Sequence, residues 1–361
     1  MPQKLNHVCY LTQAPGPYRE PLHEVLSDRN KFTYSVVYCA KLEPNRSWNL
    51  DFGKYSKYFL SEKSKTFSHN NRNVWALLNK LNPTVLIITG FSPTMLYGVI
   101  WTILKRRKLI IYNDGTYLTE RNYSKIQKLN RWWVFKFAKA YIGTGKGSYD
   151  LYRSYGVNHE KIFTSCLCID NSRFDNQPVL EREFDIMYAG QITERKLPLF
   201  FADVAIKLKQ RMPNLKVLIV GDGPQREDLL NKLNNAEIAN HFTGFLDQKT
   251  LSAQYSKSKL FLFTTMNDVW GVVANEACAS GTPVITSMNA GVANELIIHN
   301  KNGYILDNDV DLWTENILAL LKDETLLAQY SNNALRLVEP FNYKQSADGI
   351  TAAVDFVIRK V

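Results

Sequence analysis

Short apolar, β-branched runs alternate with longer helical patterns along the whole 361-residue chain, and few architectures accept that alternation. In the first half, runs at 8–11, 34–38, 84–89, 109–112 and 141–144 read as strands, with a helical pattern at 18–26. In the second half, runs at 184–188, 215–220, 260–264 and 284–286 read as strands. Helical patterns there cover 197–212, 224–233, 271–280 and 311–336, and a last one closes the chain at 343–361. Repeated strand–helix units give parallel sheets covered by helices. The expected fold is therefore α/β, with two Rossmann-like, doubly wound domains, as the length also favours. A polar stretch at 170–183, holding Asn171, Asn176 and Pro178, separates them, so the expected domains are 1–175 and 176–342. Residues 41–72 are polar, aromatic and aperiodic, and are expected to form a loop region over a site.

Composition narrows the class. Residues 1–180 hold 26 Lys and Arg against 12 Asp and Glu, a balance of +14, while 181–361 hold 18 against 22, a balance of −4. Such asymmetry points to a first half that meets a polyanion or an anionic membrane. No nucleic-acid motif accompanies the charge, so no nucleic-acid partner is expected. Five cysteines, Cys9, Cys39, Cys166, Cys168 and Cys278, lack disulfide or metal spacing, which fits a reduced, cytoplasmic chain. No basic segment followed by an apolar run opens the sequence, so no signal peptide is expected. The uncharged stretch 85–104, followed by Lys105-Arg106-Arg107-Lys108, has the length of a membrane span. Gly90, Ser92 and Pro93 interrupt it, so a strand, a turn and a helix are expected instead.

Four glycine-rich strand ends cluster in the second half. Residues 267–287 read as a loop, a short helix and a strand, with Gly281 as a helix C-cap and Pro283 as a stop. Asp268 and Glu276 are eight residues apart, about two turns if the segment is helical, so both can face one side. Free N–H groups of the turn around Gly271 would hold phosphate, and the two carboxylates would accept hydrogen bonds from a diol. Tyr188-Ala189-Gly190-Gln191 ends a strand, and Glu194-Arg195-Lys196 brings two cations to that loop. Leu218 to Pro224 is a strand, a Gly221-Asp222-Gly223 turn, and Pro at a helix start. Gly244-Phe245-Leu246 follows a further strand at 241–243.

Taken together over residues 184–306, these motifs resemble the signature of retaining glycosyltransferases of family 4, the group 1 glycosyl transferases of GT-B fold. The resemblance implies two Rossmann-like domains facing a central cleft, with the last helix crossing back onto the N-terminal domain. It places a nucleotide sugar, as substrate, on Gly16, Gly190, Gln191, Arg195, Lys196, Gly221, Phe245, Leu246, Asp268, Trp270, Gly271, Val272, Val273 and Glu276. Asp268 would contact the transferred sugar and Glu276 would grip the ribose. Arg195 and Lys196 would meet the diphosphate, and Phe245-Leu246 would lie against the base through main-chain groups. The family usually has Glu where this chain has Asp268, and Arg where it has Gln191; Arg195 stands close enough in sequence to supply that charge. No metal and no cofactor are implied.

The first half is less specific. Pro15-Gly16-Pro17-Tyr18-Arg19 resembles the family loop that approaches the donor phosphates, with Arg19 either meeting an acceptor phosphate or opening a helix on the surface. Many family members end a central N-terminal strand with His. Here the matching strand ends in Asn113-Asp114-Gly115, so Asp114 is the candidate for orienting or deprotonating the acceptor hydroxyl, with a turn-forming role as the alternative. With Asp268 it completes the candidate catalytic pair. Arg121, Lys125, Lys128, Trp132, Lys136 and Lys139 form one helical stripe, and Ile126, Leu129, Trp133, Phe137 and Ala140 a second. The second is expected in the core and the first against a membrane.

The combined expectation is a retaining glycosyltransferase that uses a nucleoside-diphosphate sugar, with a UDP-sugar favoured. Its acceptor would be a lipid-linked saccharide or a bacterial lipopolysaccharide or polysaccharide, reached from the cytoplasmic face of the cell membrane. A nucleotide-sugar epimerase of the same architecture, or an inactive nucleotide-sugar-binding subunit, are the alternatives.

Overall fold

The computed structural model describes residues 5–44, 52–64, 66, 68–175 and 182–359. The chain divides into two compact units, Met1–Leu167 with Tyr343–Val361, and Cys168–Asn342. Part of the polar boundary stretch, including Asn176 and Pro178, lies outside the described residues.

The first unit is built on seven strands: β1 (His7–Thr12), β2 (Thr33–Tyr38), β3 (Ser56–Phe59), β4 (Val85–Ile88), β5 (Lys108–Tyr112), β6 (Ala140–Gly143) and β7 (Ile162–Thr164). They form one sheet in the order β3-β2-β1-β4-β5-β6-β7, every neighbouring pair parallel. All four residues of β4, Val85-Leu86-Ile87-Ile88, are completely buried, as a strand covered on both faces requires. The helix Tyr343–Arg359 returns to this sheet, and Ala347, Ile350, Ala353, Val354 and Val357 join the core formed by Val8, Tyr10, Ile110 and Ile142. Its Ser346 hydroxyl donates to the Cys166 carbonyl at 3.0 Å.

The second unit carries β8 (Phe184–Ala189), β9 (Lys216–Val220), β10 (Ala239–Phe242), β11 (Ser258–Phe263), β12 (Val284–Ser287) and β13 (Gly303–Leu306). Their order is β10-β9-β8-β11-β12-β13, again all parallel. Two parallel sheets with flanking helices are the doubly wound architecture expected from the strand–helix alternation.

Several local expectations need correction. The region 41–72 is not all loop, because β3 pairs with β2 at the sheet edge. Its lysine and partly exposed aromatic residues are what an edge strand tolerates, and they hide it from an apolar search. The stretch 311–336 is two helices, Val310–Lys322 and Glu324–Val338. Asp323 leaves the helical conformation (φ −104, ψ 87) and its side chain accepts the Leu326 N–H at 2.9 Å, starting the second helix. The uncharged stretch 85–104 is β4 and the helix Pro93–Leu104, and among the described residues no helix is long and apolar enough to cross a membrane.

The stripe expected in the core is the largest correction. The helix is Lys125–Phe137, opened by a reciprocal capping box between Ser124 and Gln127, so Arg121 and Lys139 lie outside it. Its inward residues are Arg131, Val134 and Phe135, continued by buried Ala138. Of the stripe expected in the core, Ala140 is fully buried and Trp133 packs half-buried against the core, but Ile126, Leu129 and Phe137 are 72%, 60% and 38% exposed. The inward face was hidden because it includes a charge. Arg131 donates to buried Glu120 at 2.9 Å, and its guanidinium lies 4.3 Å from the ring centres of both Phe91 and Tyr123.

Candidate functional site

In open parallel sheets, ligands bind beyond the carboxyl ends of the strands, where the strand order reverses. In the second unit that point lies between β8 and β11. The loop after β8 carries Gly190, Gln191, Arg195 and Lys196; the loop after β11 carries Asp268, Trp270 and Gly271. Topology thus brings the second-unit candidate donor residues to one edge of one sheet, while Gly16 follows β1 in the first unit.

Backbone bonds lace these strand ends together. Gly190 N–H donates to the Val220 carbonyl at 3.0 Å, Ile192 to Asp222 at 2.9 Å, and Gly221 to Gly244 at 2.9 Å. The chains run so close that a Cβ on Gly221 would sit 1.9 Å from the Gly190 carbonyl oxygen, and Gly221 has φ +119. No L side chain fits there. Phe245 follows, 74% exposed, with Leu246 half-buried behind it.

Charge gathers on Asp268. Its carboxylate receives Lys196 Nζ in a short ion pair and Arg195 at 3.2 Å, while Arg195 also donates to the Asn267 carbonyl at 2.9 Å. The backbone holds the cations in place: Met266 N–H donates to the Arg195 carbonyl at 2.8 Å and the Thr264 hydroxyl to the Lys196 carbonyl at 2.7 Å. Burial opposes ionisation of Asp268, but Lys196, Arg195 and the Trp270 N–H together outweigh it and hold the carboxyl below its usual range. Burial also pulls the Lys196 ammonium down, against the upward pull of Asp268. Lys196 further rests 4.7 Å from the centre of the Phe263 ring. The cluster is a preformed pair of cations on a partly desolvated carboxylate.

The helix Val272–Ala279 begins beside it. Gly271, at φ +110, is its N-cap, and a Cβ there would lie 2.3 Å from the Phe263 ring. Val272 and Val273, both half-buried, form its first turn, whose N–H groups point out of the helix start. Trp270 is fully buried and donates to Asn275 at 2.8 Å. The helix ends as Gly281 suggests: Gly281 N–H donates to Cys278 and Thr282 N–H to Ala277, a Schellman closure with Gly281 at φ +66. One expectation fails. Asp268 precedes the helix and pairs in a bridge with Ala290, so the eight-residue spacing is not two helical turns. Glu276, on the second turn, is 1% exposed and accepts from the Tyr255 hydroxyl at 2.9 Å.

Tyr255 was missed by sequence reasoning. It lies on a different helix, Gln248–Ser256, and no local pattern links it to Glu276.

In the first unit the order reverses between β1 and β4. Gly16 and Arg19 follow β1; the Gly16 carbonyl accepts N–H groups of Arg19 and Glu20 as the helix Glu20–Asp28 starts. The Arg19 side chain does not stand free on the surface. It donates to both oxygens of Asp114 at 3.1 and 3.0 Å, stacks 4.5 Å over the Tyr112 ring and bonds the Tyr112 hydroxyl. Asp114 is therefore an ion-paired carboxylate at the end of β5. Among the described residues, no cluster of three or more His, Cys, Asp or Glu is placed to hold a metal ion.

Comparison with known proteins shows what the chain is similar to. Residues 170–337 match the family described as glycosyl transferases group 1. The chain is 30% identical over 124 residues to the 2-deoxystreptamine N-acetyl-D-glucosaminyltransferase of Niallia circulans, covering 34% of this chain and 32% of that protein. It is 30% identical over 179 residues to the D-inositol 3-phosphate glycosyltransferase of Rhodococcus opacus, covering 47% and 40%. The chain thus spans a third to two fifths of the length of these two relatives. Among solved structures, it superposes on Anabaena Alr3699/HepE in complex with UDP with a TM-score of 0.78, at 14% identity, covering 96% of this chain and 99% of that one. The pneumococcal O-GlcNAc transferase GtfA in complex with UDP and GlcNAc gives 0.76 at 12% identity, covering 99% and 100%. The fold is GT-B, and residues 170–337 resemble the group 1 glycosyl transferases.

Proposed function

We propose that this protein is a retaining, family 4-like glycosyltransferase of hexosyltransferase type. It would move a sugar from a nucleoside-diphosphate sugar to a hydroxyl of a lipid-linked saccharide or of a lipopolysaccharide or polysaccharide acceptor. The observation that carries this reading is the Arg195–Lys196–Asp268 cluster at the β8/β11 switch point, beside the start of the helix Val272–Ala279. As the bond from the sugar carbon to the diphosphate breaks, negative charge grows on the leaving group. Lys196, Arg195 and the helix N–H groups neutralise it, supplying charge that a metal provides in other designs. Asp268 accepts a hydrogen bond from a sugar hydroxyl, and Glu276 one from the ribose diol. The acceptor proton passes toward the Asp114 carboxylate, which Arg19 orients through both of its oxygens. UDP is favoured as the nucleotide because UDP accompanies both HepE and GtfA, although a Mycobacterium tuberculosis relative is named for GDP-mannose. The basic residues around the helix Lys125–Phe137 would hold the protein to the anionic cytoplasmic face of the membrane that carries the acceptor.

Two outcomes check the assignments. Incubating the protein with UDP- and GDP-sugars and lipid-linked acceptors should release nucleoside diphosphate and give a product with the donor's anomeric configuration, read by NMR. Inversion of that configuration would remove the retaining mechanism. Asp114→Asn should reduce turnover far more than donor affinity, because its role belongs to the transition state. A variant that keeps most of its turnover while only its melting temperature falls would make Asp114 a turn residue.

A further inference from the structure

The helix Lys125–Phe137 presents an outward face with two parallel bands. Ile126, Leu129 and Phe137, with half-buried Trp133 leaning between them onto the core, at spacings of 3, 4 and 4, make an apolar edge. Ile126, Leu129 and Phe137 are 72%, 60% and 38% exposed. Lys125, Lys128 and Lys136, all exposed, run along the other edge with Trp132, and Lys136 Nζ lies 3.4 Å from the centre of the Trp132 ring. The helix has no acidic residue.

The helix cannot roll to hide this face. Its opposite side is pinned by Val134 and Phe135 in the core and by the Arg131–Glu120 ion pair, and Glu120 in turn accepts from the Asn113 amide at 3.2 Å. The apolar band is thus fixed outward, on a surface whose charge suits an anionic partner. The same pinning joins the helix to the turn that carries Asp114.

We propose that this face is an insertion surface for an anionic lipid bilayer: Ile126 and Leu129 enter the acyl region while Lys125, Lys128 and Lys136 meet the headgroups. This deepens the membrane part of the reading above, from attraction at a distance to burial in lipid. Interfacial helices combine an apolar edge, flanking lysines and tryptophan in this way. Electrostatic contact alone is screened by salt, whereas burial of apolar side chains is not.

The test is flotation of the intact protein with phosphatidylcholine vesicles and with phosphatidylcholine–phosphatidylglycerol vesicles. It is run at low salt and at about 1 M NaCl, where the screening length shrinks to about 3 Å. The protein should bind the anionic vesicles and keep a salt-resistant fraction. Ile126→Gln with Leu129→Gln should remove that fraction and weaken partitioning about tenfold or more. Lys125→Gln with Lys128→Gln should weaken low-salt binding while leaving the salt-resistant fraction on prebound vesicles. Unchanged UDP binding and circular dichroism confirm that the variants are folded, and they report on the donor site separately. The proposal fails if the Ile126/Leu129 variant binds like the parent, or if the parent ignores anionic vesicles. It also fails if light scattering shows a dimer that this variant dissociates, which would make a second copy the occupant.

Discussion

Lys196→Ala is expected to lower sugar-transfer turnover by about 10²–10³-fold, the range seen when a preorganised charge is removed from a developing anion. Lys196 is held rigidly where the proposed role needs it. Its side chain is 12% exposed, its carbonyl is tied to Thr264, and its ammonium is fixed between Asp268 and the Phe263 ring. Desolvation lowers the cost of reorganisation when the diphosphate charge appears. The ground-state donor is bound less tightly by the same group, so the loss should fall mainly on kcat. Arg195, 46% exposed and shared with the Asn267 carbonyl, does not replace it. Near-native turnover in a folded Lys196→Ala protein would remove Lys196 from the mechanism. Gln191→Arg, by contrast, should be tolerated, because Gln191 is exposed and Arg195 is already drawn to Asp268.

The second large effect is structural. Gly221→Ala should destabilise the second unit by about 3 kcal/mol or more, since it combines a positive φ with a backbone clash. The added carbon would sit 1.9 Å from the Gly190 oxygen and 2.8 Å from its carbonyl carbon, so the β8 and β9 loops must part. These loops carry the candidate nucleotide-site residues Gly190 and Gly221, so nucleotide binding should fail with stability. Gly190→Ala is the internal control. Its φ is also positive, at +135, yet nothing lies within 4 Å of the new carbon. Urea unfolding should therefore show a clearly smaller loss for Gly190→Ala than for Gly221→Ala. Equal losses would mean that conformational strain, not the clash, sets the effect.

The contrast between what was and was not legible has physical causes. β4 and β9 were readable because a strand covered on both faces is a near-continuous apolar run, as Val85-Leu86-Ile87-Ile88 and Val217-Leu218-Ile219-Val220 are. The donor loops were readable because close backbone approach demands glycine, as at Gly221 and Gly271. Edge strand β3 was not, since its outer face carries residues that suit water. The inward face of the helix Lys125–Phe137 was misassigned because a buried arginine looks like a surface residue until its partner Glu120 is known. Tyr255 could not be found because its meeting with Glu276 is made by tertiary packing of two helices. The same holds for Arg19 and Asp114, which were singled out separately and are joined by an ion pair spanning two strand ends.

The central claim is that the strand ends around Asp268 and Glu276 bind a nucleoside diphosphate. Calorimetric titration with UDP tests it most directly, with GDP and ADP alongside. The account predicts saturable binding of UDP that raises the melting temperature. Glu276→Ala should then weaken that binding about tenfold to a hundredfold, the loss of one charge-assisted diol contact of roughly 1.5–3 kcal/mol. Failure of the folded protein to bind any of the three, or equal UDP affinity in Glu276→Ala, would contradict it.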